Sequence, residues 1–141
     1  MNTDGRLMCP SWVATPIKNS EGNLIGMNPI RYDQFVLRLF KKMEFEQMVT
    51  HAVLGITSEA GEIANCYKKV QAYGQEINLK NLIEELGDMR FFLQAIQNLY
   101  GISDGQILQA NAEKLAERYS NLEYSDSKAA ARKDKTSGDT E

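Results

Sequence analysis

One histidine in 141 residues, His51, excludes most histidine-based chemistry at once. A di-iron helical bundle needs a Glu-x-x-His motif from each of two helices, and this chain has no such motif. Nor does it have a Ser/His/Asp nucleophile set or a glycine-rich phosphate loop. His51 itself reads as a helix-surface or partly buried residue rather than a ligand. Cysteine is scarce too: Cys9 near the terminus and Cys66 inside a helical pattern are too few for a disulfide framework, and predict free thiols in a reducing compartment. No apolar run approaches the roughly 18 residues of a membrane span, and MNTDGRLMCPSW lacks a signal-peptide core, so the expectation is a cytoplasmic protein without a membrane partner. No Lys/Arg-rich patch is present and the net charge is −3, which argues against binding duplex nucleic acid. An anionic substrate would need cations as go-betweens.

What the sequence does have is length and helical periodicity. A chain of this size, 43% apolar, can bury a core without staples. Residues 1–27 read as an ordered arm with a small hairpin, because Asn19-Ser20-Glu21-Gly22-Asn23 is a turn signal between two apolar stretches. The first helix is expected to begin at Asn28-Pro29, an N-cap followed by a proline at the first helical position. It carries Tyr32, Phe35, Val36, Leu39, Phe40 and Met43. A second helix is expected from about Phe45 or Gln47 to Val70, and a loop over 71–77. The third follows the cap Asn78 and stops at Gly101. Ser103 to Gln106 spells a capping box for a fourth helix, with Leu108, Leu115, Tyr119 and Leu122. From Ser125 on there is no aromatic or large aliphatic residue, which predicts a disordered tail over 125–141. The fold class is therefore all-α: a four-helix bundle over 28–124, between the arm and the tail.

Four carboxylates stand out from the helical pattern. At about 100° per residue, and with Ile56 at the centre of the apolar stripe, Glu59 and Glu62 fall about 60° and 120° to one side. With Leu82 as origin, Glu85 and Asp88 fall at the same two angles on the same side. Glu59-Ala60-Gly61-Glu62-Ile63 is matched by Glu85-Leu86-Gly87-Asp88-Met89, each with a mid-helix glycine that costs about 1 kcal/mol in helix propensity. Close approach of a helix or ligand to the backbone is the expected compensation. Folded as an antiparallel hairpin, the two pairs lie level. A lone Glu-x-x-Glu is most often a solvated face. Two pairs in matched phase instead point to a shared site, where mutual repulsion and desolvation call for cations. Oxygen-only donors select hard ions, Mg²⁺ first and Mn²⁺ as substitute.

These residues carry a resemblance. Glu59-x-x-Glu62, 22 intervening residues, then Glu85-x-x-Asp88, set in Leu54-Gly55-Ile56-Thr57-Ser58-Glu59 and Glu84-Glu85-Leu86-Gly87-Asp88, is similar to the MazG family of all-α nucleoside triphosphate pyrophosphohydrolases. Asn111-x-x-Lys114-Leu115-x-x-Arg118-Tyr119 resembles the family's third segment, so the likeness covers roughly 28–122. The chain looks like the short single-module form found in phages and some bacteria, which for a phage protein implies the host cytoplasm. The resemblance implies Mg²⁺-dependent hydrolysis of an NTP or dNTP to the monophosphate and pyrophosphate by a dimer or tetramer. In this reading Glu59, Glu62, Glu85 and Asp88 are the metal and catalytic residues. Asn111 and Lys114 are triphosphate or sugar contacts, and Arg118 is a further candidate. Lys68 and Lys69, two turns beyond Glu62, are phosphate contacts. Phe92, one turn after Asp88, is either a base contact or a core residue. Glu59 is the candidate general base, being nearest the buried stripe. A relative specialised for dUTP or phosphoribosyl-ATP shares the same metal motif. A non-enzymatic helical partner-binding module is the reading from a different class.

Overall fold

The computed structural model describes residues 11–134. Cys9 and the first ten residues of the expected arm lie outside them, as do residues 135–141 of the expected tail. The described chain is mostly helical, with five helices and one two-stranded antiparallel sheet. It divides into two compact units at Gly101.

The first unit opens with the hairpin of β1 (Trp12–Lys18) and β2 (Leu24–Arg31). Its turn is held by Asn19, whose side-chain oxygen accepts from the N–H groups of Glu21 and Asn23 at 3.1 and 2.9 Å, while Gly22 takes φ 85°. The expected helix start at Asn28-Pro29 is corrected here: both residues belong to β2, and the helix begins only at Tyr32. The register explains why the proline is tolerated in a strand. Tyr32 N–H donates to Ser11 O at 2.8 Å, which makes 13–30 and 15–28 hydrogen-bonded pairs and leaves Ala14–Pro29 and Pro16–Met27 as non-bonded ones. Each proline thus occupies a position whose N–H the ladder does not need.

The helix α1 (Tyr32–Leu39) stops where Phe40 turns extended, with Lys42 Nζ donating to Leu37 O at 2.7 Å. Met43, expected on this helix, sits in the linker. The next helix, α2 (Phe45–Tyr73), runs past the expected end at Val70 to Gly74, which is left-handed at φ 62°. The third, α3 (Leu79–Tyr100), starts at the expected cap, Asn78, whose side chain accepts from Asn81 N–H at 3.1 Å, and ends at left-handed Gly101. The core is small: Val36, Phe40, Ala52 and Ala95 are buried, ringed by Phe35, Met48, Phe91, Phe92, Ile96 and Leu99. Asn98 fastens α3 to α1 by donating to Asp33 O at 2.9 Å.

Which face of α3 packs differs from the apolar line Leu82, Leu86, Met89, Leu93, Ile96, Tyr100. The packed positions are Phe91, Phe92, Ala95, Ile96 and Leu99, whereas Leu86, Leu93 and Tyr100 are exposed. The expected line is thus covered only in part, with Ile96 packed and Leu82 and Met89 half-buried.

In the second unit, α4 (Asp104–Arg118) begins with the complete capping box of Ser103 and Gln106. It ends at Arg118, short of Leu122, which takes φ 56°. The tail expectation is corrected over the described part: α5 (Asp126–Ala131) is helical, capped by Ser125 Oγ accepting from Lys128 N–H at 3.2 Å. A serine cap ahead of three alanines, the best helix formers, supplies locally what the segment lacks in apolar bulk.

Candidate metal centre

Two contacts fix how α2 lies on α3. A Cβ on Gly55 would sit 2.4 Å from the Phe92 ring, so the two helices touch backbone to ring there. Eleven residues further along α2, Cys66 Sγ meets Asn81 Nδ2 at 3.1 Å, and Asn81 lies eleven residues back along α3 from Phe92. In this antiparallel register Glu59 is level with Asp88, and Glu62 with Glu85. The carboxylates interrupt a packed stripe, with the Gly55–Phe92 contact closing one end and Cys66–Asn81 the other.

Glu59, Glu85 and Asp88 come together: each offers a carboxylate oxygen, and the three oxygens lie within 4.8 Å of one another. Glu59 and Glu85 are half-buried and Asp88 is exposed. Glu62 is exposed and outside this triplet, but its charge still acts on Glu59. Burial pushes the Glu59 carboxyl above the usual carboxylate range, and the charges of Asp88, Glu85 and Glu62 push it further, with a carboxyl–carboxyl hydrogen bond to Glu85 adding to the effect. Hard divalent cations take oxygen donors at about 2.0–2.6 Å, so two donors on one ion are at most about 5 Å apart. The triplet fits such an ion by spacing and by donor type.

Three residues at the site had not been singled out from sequence. Asn81 Nδ2 donates to Glu85 Oε1 at 2.9 Å. Tyr32 on α1 lies close enough to sense the site: burial raises its phenol pKa, Arg90 lowers it and the Asp88 charge raises it. Arg90 also donates to Gln97 Oε1 at 3.2 Å. The helical wheel held a signal for Asn81, which falls on the carboxylate side of α3.

The other sequence candidates are placed as follows. Lys68 and Lys69 are exposed on α2. Phe92 is taken up by packing, its ring on Gly55 and edge-on to His51 and Phe91 at centroid distances of 5.6 and 5.5 Å. His51 is half-buried, stacked on Phe40 at 5.0 Å, and its Nδ1 has no hydrogen-bond partner. Gly61 and Gly87 do not mark close approaches, since a Cβ at either would meet nothing within 4 Å. That role falls to Gly55. In the second unit, Asn111 and Lys114 are exposed on α4. Arg118 is engaged by Asp134, Nε to Oδ1 at 2.5 Å and Nη2 to Oδ2 at 2.6 Å. No described helix is long and apolar enough to cross a membrane. Comparison with family models, with curated proteins and with solved structures finds no match to this chain.

Proposed function

We propose that the chain is a Mg²⁺-dependent nucleoside triphosphate pyrophosphohydrolase, a four-helix bundle enzyme of the MazG kind that acts as a homo-oligomer. The observation that carries this reading is the convergence of Glu59, Glu85 and Asp88 in matched phase on two antiparallel helices. A divalent cation bound there supplies charge for phosphate oxygens and lowers the pKa of a water. The protein's own part is to hold the donors in place and to accept a proton. Glu59 is the candidate for the second task, being a half-buried carboxylate within the triplet. Asp88 and Glu85 hold the negative field that draws the cation, with Glu62 beside them. Lys68 and Lys69, exposed on the same helix as Glu59, are available to phosphate oxygens.

The test is a panel of NTPs and dNTPs with Mg²⁺, read by pyrophosphate release and product identification. The expected outcome is monophosphate plus pyrophosphate, lost about a hundredfold or more in each of Glu59→Gln, Glu62→Gln, Glu85→Gln and Asp88→Asn with helicity intact. The panel also separates a dUTP- or phosphoribosyl-ATP-directed enzyme from a general one. No release from any member, or activity retained in two of the four variants, overturns the proposal and leaves the helical partner-binding reading.

A further inference from the structure

Glu85 has a neutral side chain tied to it. Asn81, one turn earlier on α3, donates from Nδ2 to Glu85 Oε1 at 2.9 Å, and the same nitrogen lies 3.1 Å from Cys66 Sγ on α2. An ionised carboxylate can only accept, so the NH₂ group, and not the amide oxygen, faces Glu85. That group has two protons, one for each partner. The sulfur is a weak acceptor, so its part is to orient the amide against α2. The backbone N–H of Asn81 is already used by the Asn78 cap at 3.1 Å, which leaves the side chain no capping task.

We propose that Asn81 is a positioning residue for the carboxylate site, fixing the Glu85 carboxylate in the orientation in which it faces Glu59 and Asp88. The inference rests on the reading of that triplet as a divalent-cation site. The chemistry favours an amide for this task. A lysine or arginine at position 81 would also bind Glu85, but its charge would compete with the cation for the carboxylate. The amide orients the oxygen and leaves its charge uncancelled. Partners of this kind, hydrogen-bonded to a metal-ligating carboxylate, typically change metal affinity by about 10–100-fold when removed.

The experiment is a titration of the full chain with Mn²⁺ alone, without nucleotide, reading free Mn²⁺ by electron paramagnetic resonance. Asn81→Ala, Asn81→Gln and Glu85→Gln are compared with the unaltered chain, and the metal-free melting point of each is recorded. Asn81→Ala is expected to weaken Mn²⁺ binding about tenfold while the metal-free melting point stays unchanged, because alanine suits the first turn of a helix. Asn81→Gln, which restores a donor within reach of position 85, is expected to recover most of the loss. If Glu85→Gln loses binding while Asn81→Ala binds as the unaltered chain does, the positioning role is overturned and the cation site stands. If Asn81→Ala melts earlier in the metal-free state and Asn81→Gln restores nothing, Asn81 is a packing residue and the proposal is again overturned. Undiminished binding by Glu85→Gln overturns the cation site, and this inference with it.

Discussion

Three glycines on the two long helices respond oppositely to the same substitution if the geometry is right. In Gly55→Ala the new methyl would lie 2.4, 2.4 and 2.5 Å from Phe92 Cδ1, Cγ and Cε1, where carbon atoms normally rest at about 3.5–4.0 Å. The ring must retreat by about 1 Å or more, and it is pressed by His51 and Phe91 at its edges. Overpacking of this kind costs about 1–3 kcal/mol. The upper end applies, because ring atoms rather than a flexible chain end are in the way. Helix propensity returns about 1 kcal/mol for replacing a mid-helix glycine. The balance is a loss of about 2 kcal/mol, or a melting point lower by about 8 °C for a chain of this size. Gly61→Ala and Gly87→Ala meet nothing within 4 Å. Only the propensity term remains, so each gains about 1 kcal/mol and about 4 °C. Thermal and urea unfolding followed by far-ultraviolet circular dichroism reads all three on metal-free protein. A Gly55→Ala that is neutral or stabilising would refute the backbone-to-ring contact, and with it the register that sets Glu59 level with Asp88. Trimming the ring in Gly55→Ala/Phe92→Leu should recover part of the loss and so report coupling between the two positions.

The Glu59 carboxyl has its pKa raised in the folded state, so the folded protein holds that proton more tightly than the unfolded chain does. Its favourable contribution is full below the unfolded value near 4.5 and is lost as pH rises through the folded value. Metal-free protein should therefore gain stability from this group as pH falls toward 4.5, Glu59→Gln should flatten that slope, and Mg²⁺ above that range should restore stability. A slope of the opposite sign, unaltered in Glu59→Gln, would refute the account. Asp134 has the reverse sign: the hydrogen bond from Arg118 holds its carboxyl down at about 2, so its contribution is present above about 3.8 and disappears as pH falls toward 2. Carbon-detected NMR titration should find Asp134 at that low value, and an ordinary aspartate pKa there would show that Arg118 is not its partner. The exposed apolar positions Leu37, Leu39, Val53, Leu54, Leu86 and Leu93 lead us to expect a dimer at least. A monomer mass by light scattering at micromolar concentration, with full activity, would contradict that expectation.

Three helix ends were legible because their signal was local and uncontested. Asn78, Gly101 and the Ser103–Gln106 box each satisfy orphan backbone groups within four residues, so the sequence contains the whole interaction. The start of α1 was not legible for the complementary reason. Asn28-Pro29 is a sound local helix start, but its backbone is claimed by pairing with Ala14 and Thr15 across the hairpin, and that competition is non-local. Over the described residues 125–134, composition was the wrong guide. Apolar bulk governs whether a segment can bury a core, whereas α5 rests on a cap and on alanine propensity.

At the candidate site the carboxylates themselves indicated the packed face better than the leucines did. Taking Ile56 and Leu82 as stripe centres, the wheel puts Gly55 about 100° and Cys66 about 80° toward the carboxylate side of α2, and Asn81 about 100° and Phe92 about 80° toward the carboxylate side of α3. All four are residues that the fold brings together in pairs. Gly61 and Gly87 fall about 140° to the opposite side, where the structure leaves open space. Apolar content drew the stripe through Leu86, Leu93 and Tyr100, which are exposed. An interface that holds acids cannot be read from hydrophobicity alone, because its most informative positions are the small and polar residues that let two helices approach and keep the acids in register.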